Sequence, residues 1–162
     1  MRLNPELKSK INKLWEKLWS GGVSNPLMAI EQISYLLFMK RIEDQDTQKQ
    51  QDARFTKEKY ASIFEKHEDC KWSVWTEYPA NKILDHVRNK VFPFLKTLGE
   101  KDSLYNQYMQ DAVFVIPTPS VLIESVKIIN ELKLKENRDI QGDIYEYLLS
   151  ELTTSGKNGQ FR

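Results

Sequence analysis

Apolar positions recur at helical spacing through most of the chain. Asn4 followed by Pro5 predicts a helix start, because asparagine can cap free N–H groups and proline's fixed φ suits the first helical position. This helix runs to about Ser20 with Leu7, Ile11, Leu14, Trp15, Leu18 and Trp19 on one stripe, and Gly21-Gly22 end it. Asn25-Pro26 repeat the signal. The helix that follows, to about Asp46, is apolar nearly all round (Leu27, Ile30, Ile33, Leu36, Leu37, Ile42), which places it inside a bundle. The charged stretch 43–52 reads as its solvated end and a loop. Residues 56–67 read as a shorter helix with Tyr60, Ile63 and Phe64 inward.

Trp72, Val74 and Trp75 sit in a segment too brief to separate extended chain from a helical turn. Pro79 starts another helix, with Ile83, Leu84, Val87, Val91, Phe94 and Leu95 on one face, a kink at Pro93 and a stop at Gly99. A short helix follows from Ser103 to about Asp111. Ala112 to Ile116 is an apolar run that reads equally as strand or buried connector. Thr118-Pro119 open a helix through Leu122, Val126 and Ile129, and Asp143 with Glu146 has capping-box spacing ahead of Ile144 and Leu148. The sum is an all-α fold, mainly a bundle of six or seven helices with at most one short β element. Residues 1–155 form the helical domain, and the glycine-rich 156–162 reads as a flexible linker.

Composition narrows the picture. A chain of 162 residues suits one domain with a real core, and 40% hydrophobic against 29% charged residues is globular composition. With 24 Lys and Arg against 23 Asp and Glu, no global field marks a nucleic-acid or membrane binder, so any such contact is local. The single cysteine, Cys70, forms no intrachain disulfide and the N-terminus lacks an apolar leader, so a reducing cytoplasm is expected. The apolar stretch 26–39 is shorter than the roughly 20 residues of a membrane span. No membrane contact is expected.

Candidate chemistry is sparse. His67 and His86 each lack a ligand partner at metal spacing, so both read as surface or boundary residues and no metal site is expected. Glu68-Asp69 beside His67 read as solvated charge. Trp15 and Trp19 could stack unpaired bases, but their shared stripe favours core packing; Trp72 and Trp75 are less determined. Lys10, Lys13 and Lys17 lie on one side of the first helix, and Lys82, Arg88, Lys90 and Lys96 follow the Pro79 helix. These are candidates for DNA phosphate contacts, which need only local clusters of cations, although Glu6 and Asp85 dilute them. No catalytic or cofactor-binding residue is named.

The C-terminal stretch Asp139-Ile140-Gln141-Gly142-Asp143-Ile144-Tyr145-Glu146-Tyr147-Leu148-Leu149, then Gly159-Gln160-Phe161-Arg162, resembles a junction in the modification subunits of type I restriction-modification systems. There a D-x-x-G-x-x-Y-E-Y-L-L helix leads to a G-Q-F-x-T-P segment; the match here stops before the Thr-Pro. The run Asn25-Pro26 to Arg41-Ile42 also resembles that family's N-terminal helical domain. The resemblance implies a piece of an S-adenosylmethionine-dependent adenine methyltransferase, with the glycine-rich cofactor motif and the Asn-Pro-Pro-aromatic motif absent from these residues. It implies that 156–162 lead toward a catalytic domain. The implied partners are the specificity subunit, a second modification subunit, the restriction subunit of the full complex, and duplex DNA. The competing expectation is a stand-alone helical protein-interaction module.

Overall fold

The computed structural model describes residues 3–23, 25–99, 103–132 and 140–157, and all regular structure among them is helical. The chain divides into two compact units, Met1–Phe38 with Val115–Arg162, and Met39–Phe114.

The first unit contains α1 (Pro5–Ser20), the start of α2 (Pro26–Thr56), α7 (Pro119–Asn130) and α8 (Ile140–Lys157). The expected caps form: Asn4 Oδ1 accepts from Leu7 N at 2.8 Å, Asn25 Oδ1 from Leu27 N at 2.9 Å, and Thr118 Oγ1 from Val121 N at 3.2 Å. Helix α1 packs on α7, burying Ile11, Leu14 and Leu18 on one side and Leu122, Val126 and Ile129 on the other. Gly21 lets these helices approach, since a Cβ there would lie 2.5 Å from Val121 Cγ2. Gly22 holds φ at 117°, which L side chains rarely adopt. Buried among the apolar residues of α2, Gln32 accepts the Val115 N–H at 3.0 Å, satisfying a backbone donor that lies outside any helix. The 112–116 run is therefore a connector, and no strand forms among the described residues.

The aspartate of the expected capping box stands elsewhere than at the cap. Helix α8 begins at Ile140, so Asp143 lies inside its first turn, where a negative charge suits the helix dipole. The helix continues to Lys157, two residues into the expected linker, and 158–162 lie outside the described residues.

The second unit holds the largest departure from expectation. Helix α2 runs on to Thr56, ten residues past the expected end, and 57–67 are turns and irregular chain rather than a helix. Lys49 and Asp52 are exposed on a continuing helix, a pattern that a loop would share, whereas Asp46 of the same stretch is buried. Lys57 ends α2 in the left-handed conformation, φ 61°, with the Glu58 N–H bonded to Ala53 O at 2.9 Å. A 3₁₀ turn at Glu68–Cys70 and the single-turn α3 (Trp72–Trp75) follow. Glu43 reaches α3 from 30 residues away, accepting from Ser73 N at 2.9 Å and Ser73 Oγ at 2.6 Å. It supplies the N-terminal hydrogen bond that Lys71, at the cap position, cannot.

Helices α4 (Ala80–His86) and α5 (Phe92–Lys96) join through a π turn, Val87–Val91, into one rod. The Phe92 N–H bonds Val87 O, five residues back, directly before Pro93. The widened turn takes the place of a sharp kink, giving room for a ring that lacks an N–H. Helix α6 (Leu104–Gln110) closes the unit, capped by Ser103 Oγ on Asn106 N at 3.0 Å.

Candidate functional site

In the first unit, Lys10, Lys13 and Lys17 share one side of α1. Lys13 and Lys17 are exposed, whereas Lys10 is half-buried. Its ammonium lies 3.7 Å from Glu6 and 3.4 Å from Glu131 O, so part of its charge is spent within the fold. In the second unit, Lys82, Arg88 and Lys90 are exposed along the 80–96 rod. Arg88 pairs loosely with Asp85 at 3.7 Å, and Lys96 lies over the Phe92 ring, 5.4 Å from its centroid. The π turn takes up one extra residue, so Lys96 is rotated by roughly 100° from the position an unbroken α-helix would give it relative to Lys82. Reading the rod as one regular helix could not anticipate that offset. The two basic sets thus belong to different units, and each can neutralise phosphates only through cations its own fold leaves unspent.

A group that the sequence left unremarked organises the second unit. Asp46 is 3% exposed. It accepts from the Tyr60 hydroxyl at 2.7 Å, the Ser62 hydroxyl at 2.6 Å and the Ile63 N–H at 3.1 Å. Burial alone would raise its pKa, but the three hydrogen bonds, with Lys71 adding a smaller favourable charge, bring it below the usual carboxylate value. Tyr60 moves the opposite way, pushed up to about 12 by burial and by the Asp46 carboxylate. This hub fixes the 60–64 segment and seats Phe64 fully inside, 5.5 Å from the Phe94 ring. An open cleft of about 750 Å³ lies beside it, lined by Lys59, Ser62, Glu65, Glu68 and Lys71 among others. Lys71 is already paired with Glu68 at 3.1 Å, so the lining charges largely offset one another.

The histidines are structural neighbours of aromatic rings. His67 is exposed and lies tilted against Phe94, ring centroids 4.7 Å apart, while His86 lies tilted against Tyr78 at 4.6 Å with Nε2 2.6 Å from Asp69 O. Burial, with Asp69 acting in the same direction, pushes the Cys70 thiol up to about 11. Among the described residues no three His, Cys, Asp or Glu side chains gather as a metal site requires. No helix there is long and apolar enough to cross a membrane.

The tryptophans reverse the expected order. Trp72 and Trp75 are buried, at 4% and 0% exposure, and meet edge to face at 5.1 Å. Trp15 and Trp19, expected in the core, are half-buried and line a groove with Asn12, Glu16 and Glu151. Their stripe is apolar, but its outer edge faces α8 rather than the packed centre. The Tyr147 hydroxyl donates to Asn12 Oδ1 at 3.1 Å beside this groove, and burial, with Glu151 in the same direction, raises the Tyr147 phenol's pKa.

The described structure defines a class first: an all-helical domain whose recognisable surface features are charged faces and grooves. The chain belongs to the family described as the HsdM N-terminal domain, whose profile matches residues 7–129. It is 26% identical over 153 residues to the methylase subunit of the type I restriction enzyme EcoEI of Escherichia coli, covering 87% of this chain and 30% of that protein. A solved structure from work on complex assembly and conformational transition of the type I R-M system has a TM-score of 0.69 at 20% identity, covering 94% of this chain and 31% of that one. The chain spans about a third of the length of these two relatives.

Proposed function

We propose that this chain is the helical supporting domain of a type I restriction-modification adenine methyltransferase, acting in subunit assembly and in holding duplex DNA. The observation that carries this reading is the family match across 7–129 together with exposed Lys13, Lys17, Lys82, Arg88 and Lys90 on two helical faces. Base flipping requires the duplex to be held while one nucleotide leaves the stack, and phosphate contacts hold it without reading sequence. Sequence recognition then falls to the specificity subunit. A second modification subunit and the restriction subunit complete the assembly, in the cytoplasm. The helical domain, whose last helix extends to Lys157, leads on toward the catalytic domain.

The whole enzyme uses S-adenosylmethionine, but the described residues do not fit that cofactor. They contain no strand to carry a glycine-rich turn, and Gly21-Gly22 are closed off by Val121 and Pro117. No step of methyl transfer is assigned to them.

Charge reversal tests the reading. Lys→Glu at Lys10, Lys13 and Lys17, or at Lys82 and Lys90, is introduced into the full methyltransferase complex and duplex affinity is measured across salt concentrations. Weaker binding with unchanged folding is expected from at least one set. Unchanged affinity and unchanged salt dependence in both sets would remove the phosphate-holding role and leave a protein-interaction module.

A further inference from the structure

The C-terminal end of α2 presents an aromatic ring that the fold does not use. Phe55 is 90% exposed. It follows the buried Asp46 by nine residues, about half a turn round the helix, and so lies on the side away from the core. Among the described residues its ring meets no other ring and no cation. The helix end beneath it is capped: Lys57 turns left-handed at φ 61°, the Glu58 N–H returns to Ala53 O at 2.9 Å, and Thr56 Oγ1 donates to Asp52 O at 3.1 Å. The ring therefore projects from a fixed last turn.

Its sequence neighbours are mostly cations. Lys49, Arg54, Lys57 and Lys59 stand against Asp52 and Glu58, and all four cations are exposed. None of the four is ion-paired among the described residues. Asp52, one turn behind Phe55, already accepts a hydrogen bond from Gln48 Nε2 at 3.0 Å. This end of the helix is locally basic, although the chain as a whole is balanced.

We propose that Phe55 is a wedge that enters a base step of duplex DNA, with Arg54 and Lys57 on the flanking phosphates. Between Asp46 and Thr56 the only other apolar residue is Ala53. A protein interface centres on a cluster of apolar anchors within a patch of about 800 Å² per partner, and a lone ring among cations lacks that cluster. It matches a base step, where one apolar side chain parts the stack and phosphates lie on either side. The cations also offset the negative end of the α2 dipole, which alone would repel phosphate. Such a wedge presupposes the DNA-holding reading and adds a contact with the bases to it.

The test uses the full methyltransferase complex and a fluorescein-labelled duplex carrying the site that the complex methylates. Phe55→Ala should weaken binding about tenfold or more, the scale of losing one ring stacked on a base. The slope of affinity against salt should stay the same in that variant, because no charge is lost, whereas Arg54→Gln and Lys57→Gln should each lower it by about 0.9. Phe55→Leu keeps an apolar wedge and should bind within a few-fold of the unaltered complex. With p-benzoylphenylalanine in place of Phe55, near-ultraviolet light should join the chain to the duplex. Folding should be unaffected throughout, since the side chain is exposed. Unaltered affinity in Phe55→Ala would overturn the proposal. So would crosslinks to a protein subunit alone, or a loss in Phe55→Ala that comes with disassembly of the complex, either of which would make Phe55 a protein anchor. Charge reversal at the lysines of α1 and of the 80–96 rod tests the DNA-holding reading separately: if it weakens binding while Phe55→Ala does not, that reading stands and the wedge falls.

Discussion

The Tyr60 hydroxyl donates to Asp46 Oδ1 at 2.7 Å, tying a non-helical segment to a helix 14 residues earlier. Ser62 Oγ and the Ile63 N–H bind the same carboxylate, so one buried side chain satisfies three donors. Asp46→Ala removes all three acceptor interactions and leaves the Ile63 N–H without its partner. A loss of about 2–4 kcal/mol in urea unfolding is expected, the scale for an unsatisfied buried donor plus a broken network. Tyr60→Phe removes one hydrogen bond and should cost about 1 kcal/mol.

The same pair gives stability an edge at each end of the pH scale. Asp46 has a folded pKa below its ordinary 3.8, so its contribution is present above that value and is lost as pH falls through the folded pKa. Tyr60 has a folded pKa raised from 10.0 to about 12, so its contribution is present below 10 and is lost as pH rises toward 12. Unfolding midpoints measured across pH should fall at both edges. Tyr60→Phe should flatten the alkaline edge, and an alkaline edge of unchanged size in that variant would refute the assignment.

Local signals made much of this fold legible, and the tertiary partners explain what stayed hidden. Asn4, Asn25, Ser103 and Thr118 cap the helices they precede, because a cap is decided within three residues. Segment 57–67 was open to misreading. Tyr60, Ile63 and Phe64 have helical spacing, yet their placement is set by Asp46, and the break comes at Lys57, a residue with no turn signature. Burial of Asp46 depends on donors 14 to 17 residues away, so its sequence neighbours make it look solvated. The lysine faces were legible as charges. The groove was half legible: Trp15 and Trp19 stand out, but Glu151 joins them only through the packing of α8.

Gly21 and Gly22 should resist substitution for different reasons. A Cβ at Gly21 would meet Val121 Cγ2 at 2.5 Å and Lys17 O at 2.6 Å, so Gly21→Ala must push α7 or bend the α1 end, at about 1–3 kcal/mol. Gly22→Ala forces an L residue to φ 117°, costing about 1–3 kcal/mol whatever the space. Adding Val121→Ala should recover part of the loss in Gly21→Ala and none in Gly22→Ala. Equal behaviour in the two backgrounds would mean that the close approach to Val121 does not limit position 21.

Cys70 should be chemically quiet until the chain unfolds. The residue is 2% exposed, and its sulfur lies 3.7 Å from Lys90 O and 3.8 Å from Asp69 Oδ1. Raising the pKa from 9.0 to about 11 lowers the thiolate fraction at pH 8 by about a hundredfold, before any effect of access. A disulfide reagent should therefore label the native protein at least about a hundredfold more slowly than the urea-unfolded protein. Comparable rates would show that the segment around Cys70 opens readily.

Single neutralisations can separate cations that touch DNA from cations already engaged in the fold. Removing one cation from a phosphate should reduce the log–log salt slope of duplex binding by about 0.9, whatever the DNA sequence. Lys13→Gln and Lys17→Gln remove exposed charges that have no ion pair among the described residues. Each should show that full reduction in the complete complex if the α1 face lies on the duplex. Lys10→Gln should show less, because its ammonium is already shared between Glu6 and Glu131 O, and drawing it to a phosphate would forfeit those interactions. A larger effect at Lys10 than at Lys13 and Lys17 would mean that α1 meets DNA through its N-terminal turns rather than along the exposed lysine side. Unchanged slopes at all three, with an intact complex, would take α1 away from the duplex and leave the 80–96 rod as the phosphate-bearing face.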